Sequence, residues 1–194
     1  MNTRRELLNA IIEQRKYKSY LEVGIYDNEL NFNHINCEYK TSCDPNPNAG
    51  AIHVLTSDEF FAQNLNKFDL IFIDGLHHSD QVIKDIANAL DCLNEGGTIV
   101  MHDCLPENEY MQLVPQTTQV AWTGDCWKAF VHYRRTRKDL FMFVLNFDCG
   151  CGVIIPNAKQ DLLKIEESEI TYDNFVKNKE QWMNLRESLD FQDY

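Results

Sequence analysis

Phe68-Asp-Leu-Ile-Phe-Ile-Asp-Gly-Leu-His-His78, and beyond it Gly96-Gly-Thr-Ile-Val-Met-His-Asp103, decide the fold. Residues 70–73 are continuously apolar, as a strand covered on both faces has to be, and Asp74-Gly75 stops it. Between the two runs Val82, Ile83, Ile86, Ala87, Leu90 and Leu93 recur at helical spacing behind Ser79, the expected cap. Gly96-Gly97 is expected to end that helix and residues 98–101 to form the next strand. Strand, helix, strand at this spacing predicts right-handed crossovers and a parallel sheet.

The same rhythm extends in both directions. Upstream, Thr3 and Glu6 read as a capping box for a first helix with Leu7, Leu8, Ile11 and Ile12 on one face. Strands are expected at 20–23, 39–43 and 51–55, with Ser57 capping the helix that follows the last of these. Downstream, 124–133 reads as helical, 140–145 and 152–155 as strands, and Thr171 as the cap of a last helix carrying Phe175, Trp182 and Leu185. The turn at 146–151 is too short for a parallel crossover, so the closing pair is an antiparallel hairpin. The expected architecture is α/β: one domain over 1–194, with a core at about 18–155 and a C-terminal helical tail at 159–194.

The 194 residues are 44% hydrophobic and 25% charged, an ordinary globular balance. A net charge of −12 argues against nucleic acid or an anionic membrane as the main partner. The basic run Arg134, Arg135, Arg137 and Lys138 reads as a solvated helix end. Residues 1–13 lack a signal-peptide core, and no apolar stretch is long enough to span a bilayer. Seven cysteines at irregular spacing fit reduced thiols, and a cytoplasmic location is expected.

Ligands of an open parallel sheet bind at the carboxyl ends of its strands. Gly24, Asp44, Ser57, Asp58, Asp74, His77, His78, His102 and Asp103 all fall at such ends. Gly24 admits close backbone approach, Asp44 can accept two ribose hydroxyls, and Asp58 can meet an adenine amino group. Asp74, His102 and Asp103 offer oxygen and nitrogen donors to a divalent ion such as Mg²⁺ or Mn²⁺. A neutral histidine among them can act as a general base. Each of these also has a plainer reading as a turn, a cap or a packed side chain. Trp122, Trp127, Tyr110 and Phe130 are candidates for a pocket wall, although aromatics at such spacing more often belong to the core. An HD-type phosphohydrolase would be helical, whereas here the His-Asp pair follows a strand.

Tyr20-Leu-Glu-Val-Gly24, Cys43-Asp-Pro-Asn-Pro47, Phe68–His78 and Gly96–Asp103, taken in order, resemble class I S-adenosylmethionine-dependent methyltransferases. The subgroup most similar is the small, partly metal-dependent O-methyltransferases of sugar and polysaccharide biosynthesis. The resemblance covers roughly residues 18–155. It implies a Rossmann-like, mostly parallel seven-stranded sheet with a C-terminal antiparallel hairpin and helices on both faces. It implies S-adenosylmethionine as cofactor, with Glu22 and Gly24 at its methionine end, Asp44 on the ribose, and Ser57 and Asp58 by the adenine. It further implies Asp74 and His77 as catalytic residues, a divalent metal on Asp74, His102 and Asp103, and a small-molecule acceptor. Separately from the resemblance, a homodimer through the acidic C-terminal helix is one of the arrangements the sequence leaves open. His102 stands where the metal-dependent relatives often carry a carboxylate. Two rival readings are a non-catalytic nucleotide- or partner-binding module and a nicotinamide-dependent oxidoreductase. The second would need a Gly-x-Gly-x-x-Gly loop, and only Gly24 is present.

Overall fold

A computed structural model describes residues 1–117 and 121–190. One seven-stranded sheet organises the chain, in the order β2-β1-β3-β4-β6-β5-β7. Its strands are β1 (Ser19–Val23), β2 (Tyr39–Cys43), β3 (Phe68–Ile73), β4 (Leu93–Met101), β5 (Leu140–Leu145), β6 (Cys151–Pro156) and β7 (Leu185–Arg186). β6 pairs antiparallel with both β4 and β5, and all other pairs are parallel.

Alternation along the central strands separates two cores. Leu70 and Phe72 of β3 turn to the side of α1 (Arg4–Arg15), where Leu7, Leu8 and Ile11 are buried. Ile71 and Ile73 turn to the opposite face, where α3 (Ser79–Asp91), α4 (Cys126–Thr136) and α5 (Tyr172–Trp182) pack. On that face Trp127 lies 4.6 Å from the Phe175 ring, between centroids, and stacks on Trp182. Burying a strand on both faces removes the polar alternation, which is why β3 reads as continuously apolar.

Four local expectations are corrected. Residues 51–55 form no strand and touch the sheet at one bridge, Cys43 to His53. The N–H of Ile52 goes to the Ser42 hydroxyl, and Ile52 and Val54 remain 55% and 51% exposed. With no face to bury these side chains, pairing stops after the bridge. The seventh strand is instead β7, which the tail adds beside β5.

The cap of α2 (Ser57–Gln63) is Thr56, one residue before the expected Ser57: its hydroxyl accepts from Glu59 N, and the Glu59 carboxylate accepts from Thr56 N. Ser79 opens α3 from within. Its N–H and hydroxyl both donate to Asp125, a carboxylate from a distant loop that suits the positive end of the helix. Finally, α3 ends at Asp91, before the glycine pair, and Gly96 lies at φ +75° inside β4, near a slip of its register against β3. Two expectations hold in part. Thr3 accepts from Glu6 N, but the Glu6 carboxylate accepts from Asn2 N, so the box is not closed. Thr171 caps α5 by accepting from Asn174 N, but α5 ends at Trp182 and Leu185 lies in β7. Residues 191–194 of the expected tail lie outside the described residues.

Candidate active site

The carboxyl ends of β1, β3 and β4 lie side by side, with Val23 paired to Ile73 and Ile73 to Met101. This register brings together side chains that are far apart in sequence. Asp74 follows β3, and His102 and Asp103 follow β4. The His102 N–H donates to the Ile73 carbonyl at 3.0 Å, so the sheet ladder runs up to the site. Asp103 holds φ +60°, a left-handed conformation that Asp tolerates better than most residues.

Two imidazoles face the same two carboxylate oxygens. His77 Nε2 lies 3.4 Å from Asp74 Oδ1 and 3.1 Å from Asp103 Oδ2. His102 Nδ1 lies 3.4 Å and 3.3 Å from the same atoms. The other nitrogen of each ring is also engaged. His77 Nδ1 lies 3.0 Å from the Trp122 carbonyl, which can only accept, so Nδ1 carries a proton and Nε2, facing the carboxylates, is the nitrogen that gains or loses the second one. His102 Nε2 lies 3.4 Å from Asp148 Oδ1.

Burial works against protonating either histidine. The Asp74 and Asp103 carboxylates outweigh it, holding the His77 pKa above its ordinary value; Asp74, Asp103 and Asp148 raise His102 well above its own. Burial likewise opposes ionising Asp74, but His102, His77 and Arg4 keep its carboxyl well below the usual carboxylate range.

The cluster forms one wall of a cavity of about 760 Å³ that runs along the strand ends from Trp122 past Gly24 to Asp44, Ser57 and Asp58. That size suits a cofactor-sized ligand. Gly24 is indispensable to its floor. It sits at φ +82°, and a Cβ there would lie 2.2 Å from the Asp74 carbonyl oxygen and 2.4 Å from Gly75 Cα.

Residues 13–104 match the sequence model of a family described as a methyltransferase domain. Several solved methyltransferase structures share the fold. S-adenosylhomocysteine-bound PaMTH1 of Podospora anserina is 16% identical, with a TM-score of 0.60 over 83% of this chain and 80% of that one. TomG of Streptomyces achromogenes, an O-methyltransferase of tomaymycin synthesis solved with S-adenosylmethionine, is 12% identical, with a TM-score of 0.56 over 79% of each chain. The Bacillus cereus O-methyltransferase solved with S-adenosylhomocysteine is 12% identical, with a TM-score of 0.53 over 79% of this chain and 80% of that one. No curated protein matches the sequence significantly. By sequence, residues 13–104 are similar to a methyltransferase domain, and the fold is the one these solved methyltransferases share.

Within this methyltransferase-like fold, Gly24, Asp44, Ser57, Asp58, Asp74, His77, His102 and Asp103 all line the same cavity. Glu22 is the exception among the expected site residues. It is 2% exposed and lies beneath the cavity, accepting hydrogen bonds from the Tyr20 hydroxyl at 2.6 Å and Asn31 Nδ2 at 3.1 Å. Two residues before Gly24 on β1, it shares the α1-side face with Tyr20, so its carboxylate is aimed into the core. Of the aromatic candidates, Trp122 lines the cavity, Trp127 and Phe130 belong to the core, and Tyr110 is exposed.

Two residues of the cluster were not foreseen in the sequence. Asp148 comes from the β5–β6 turn and Arg4 from the first turn of α1. Arg4 Nη1 lies 3.3 Å from Asp148 Oδ1, and Arg4 Nε lies 3.7 Å from Asp74 Oδ2.

The donor set of this cluster fits a divalent cation. Asp74, His102 and Asp103 each offer one ligand atom, all within 4.8 Å of one another. Spacings of 3.3–3.4 Å between the imidazole nitrogen and the two carboxylate oxygens are close to the roughly 3 Å separating neighbouring ligands at bond lengths of about 2.1 Å.

Proposed function

We propose that the protein is an O-methyltransferase, transferring the methyl group of S-adenosylmethionine to a hydroxyl of a small molecule. The sequence resemblance favours a sugar as the acceptor. The observation that carries this reading is the fixed tautomer of His77: Nδ1–H is held by the Trp122 carbonyl and Nε2 faces the cluster that walls the cavity. The chain's task is alignment and removal of one proton, because the sulfonium methyl is already activated. The acceptor oxygen forms the new bond to the methyl carbon, and sulfur keeps the electron pair of the bond that breaks. Above its raised pKa, His77 is neutral at Nε2 and takes the hydroxyl proton there. Asp74 and Asp103 hold the ring in place and stabilise the imidazolium so formed.

Asp74, His102 and Asp103 would hold a divalent ion, which when bound would lower the pKa of the acceptor hydroxyl. At the cofactor end, Asp44 Oδ2 accepts from the N–H groups of Ile25 and Tyr26 at 2.9 and 3.1 Å, which ties the loop after β1 to the end of β2. The Asp44 carboxylate keeps unused lone pairs for ribose hydroxyls. Ser57 and Asp58, both bonded to Gln81 Nε2, offer acceptors for an adenine amino group.

No helix among the described residues is long and apolar enough to cross a membrane. All seven cysteines are free thiols, which supports a reducing compartment such as the cytoplasm.

Calorimetric titration of the purified protein with S-adenosylhomocysteine tests the reading. Saturable one-site binding is expected. Absence of binding, with and without Mn²⁺, would overturn it.

A further inference from the structure

His102 differs from His77 in having a carboxylate, rather than a backbone carbonyl, behind it. An imidazole that ligates a metal through one nitrogen carries a proton on the other, and a carboxylate accepting that proton fixes the tautomer, fixes the ring orientation and strengthens the ligand. The His102 ring is 6% exposed and packs edge-on against Phe72. Its Nδ1 faces Asp74 and Asp103, and its Nε2 faces Asp148 Oδ1 at 3.4 Å.

Asp148 is itself held. Its Oδ2 accepts the Arg4 backbone N–H at 2.7 Å, and its Oδ1 lies 3.3 Å from Arg4 Nη1. Arg4 Nη1 also comes within 3.4 Å of His102 Nε2. With Nε2 protonated both atoms are donors, so this approach reflects a shared acceptor, Asp148 Oδ1. Asp148 adopts φ +49° in the β5–β6 turn, and that backbone conformation brings its carboxylate over the strand ends.

From this geometry we propose that Asp148 is a positioning residue: it presents His102 Nδ1 to the Asp74 and Asp103 carboxylates and makes the site select a transition-metal ion such as Mn²⁺ over Mg²⁺. The inference rests on the metal-assisted reading above. One imidazole and two carboxylates suit Mn²⁺ or Fe²⁺, whereas Mg²⁺ prefers oxygen donors and gives up its waters reluctantly. Asp148 supplies the rigidity and basicity that the nitrogen ligand needs.

Mn²⁺ binding is measured by the electron paramagnetic resonance signal of the free ion, with Mg²⁺ as competitor and S-adenosylhomocysteine binding recorded on the same samples. The unaltered protein is expected to bind one Mn²⁺ and to need about tenfold more Mg²⁺ for displacement. Asp148→Asn keeps a residue that tolerates positive φ and an acceptor for Arg4 N, but loses the charge. Mn²⁺ affinity should fall by about tenfold or more, with S-adenosylhomocysteine affinity unchanged. His102→Asp should move the preference toward Mg²⁺. Mn²⁺ affinity of Asp148→Asn within about twofold of the unaltered protein, or equal affinity for the two ions, would overturn the inference. S-adenosylhomocysteine binding without any Mn²⁺ binding would sink the metal site and leave the methyltransferase reading standing. Should Asp148→Asn lose S-adenosylhomocysteine binding as well, the His102→Asp comparison decides: an unchanged ratio of Mn²⁺ to Mg²⁺ affinity counts against the inference, and a shift toward Mg²⁺ supports it.

Discussion

Replacing Glu22 by Gln should stabilise the protein at alkaline pH and do little at acid pH. Glu22 lies in the α1-side core, where burial raises its pKa from 4.5 to about 7, the Tyr20 and Asn31 hydrogen bonds offsetting only part of that cost. A folded-state pKa above the unfolded value means that the native state binds this proton more tightly than the unfolded chain does. The resulting stabilisation is complete below the unfolded pKa of about 4.5 and is lost as pH rises through about 7. At about 1.4 kcal/mol per pKa unit, the carboxylate's burden above pH 8 is on the order of 3 kcal/mol. Glutamine carries no charge to desolvate. Its amide can also donate to Asn31 Oδ1, a buried acceptor that has no hydrogen-bond partner. Thermal unfolding followed by circular dichroism at pH 5 and pH 8.5 reads the effect. The variant should gain about 6–12 °C relative to the parent on going from the lower to the higher pH, taking about 2–4 °C per kcal/mol for a chain of this size. A difference between variant and parent that is the same at both pH values would refute the reasoning, because it would mean that Glu22 is equally charged throughout.

Gly24→Ala should abolish S-adenosylhomocysteine binding and cost about 2–4 kcal/mol in urea unfolding, since the new Cβ meets backbone atoms of Asp74 and Gly75 that have nowhere to go. Near-parental binding and stability would show that the floor of the cavity is softer than its contacts imply. For an acceptor found by product screening, His77→Gln should lower kcat by about 10²–10⁴ while leaving S-adenosylhomocysteine affinity intact, and full turnover would remove His77 as the base.

The centre of the fold was legible because β3 and β4 are buried on both faces and each ends abruptly in polar residues, so that pattern and chemistry mark the same boundary. The edge was not. Ala-Ile-His-Val-Leu at 51–55 has strand composition, but only the folded chain shows that Ile52 and Val54 are left exposed and that pairing stops at the one bridge. The cap of α2 was displaced by one residue because Thr56 and Ser57 are both good caps. Glu59 decides between them, standing three residues after Thr56, as a capping box requires. Arg4 and Asp148 are 144 positions apart, and no local pattern links them. Topology does carry a signal for Asp148. β5 runs parallel to the central strands, so the turn into antiparallel β6 must emerge at the same carboxyl edge as Asp74 and His102, and an acidic residue in that turn is a candidate for the site.

The loop after β1 shows how little glycine this cavity needs. With only Gly24 in a run that reads Gly-Ile-Tyr-Asp-Asn-Glu29, bulky side chains would be expected to close the cofactor end. They do not: Ile25 lines the cavity only with what its packing into the α1-side core leaves over, and Tyr26, at φ +57°, is 81% exposed at the rim. The strained backbone at Tyr26 is held by the Asp44 carboxylate, which accepts the N–H groups of both Ile25 and Tyr26, while Asp44 Oδ1 accepts from Asn46 in an Asx turn. Only the position that abuts Asp74 and Gly75 has to lack a Cβ. A carboxylate from the neighbouring strand anchors the rest of the loop, so Asp44 acts on the cavity through the backbone it holds open.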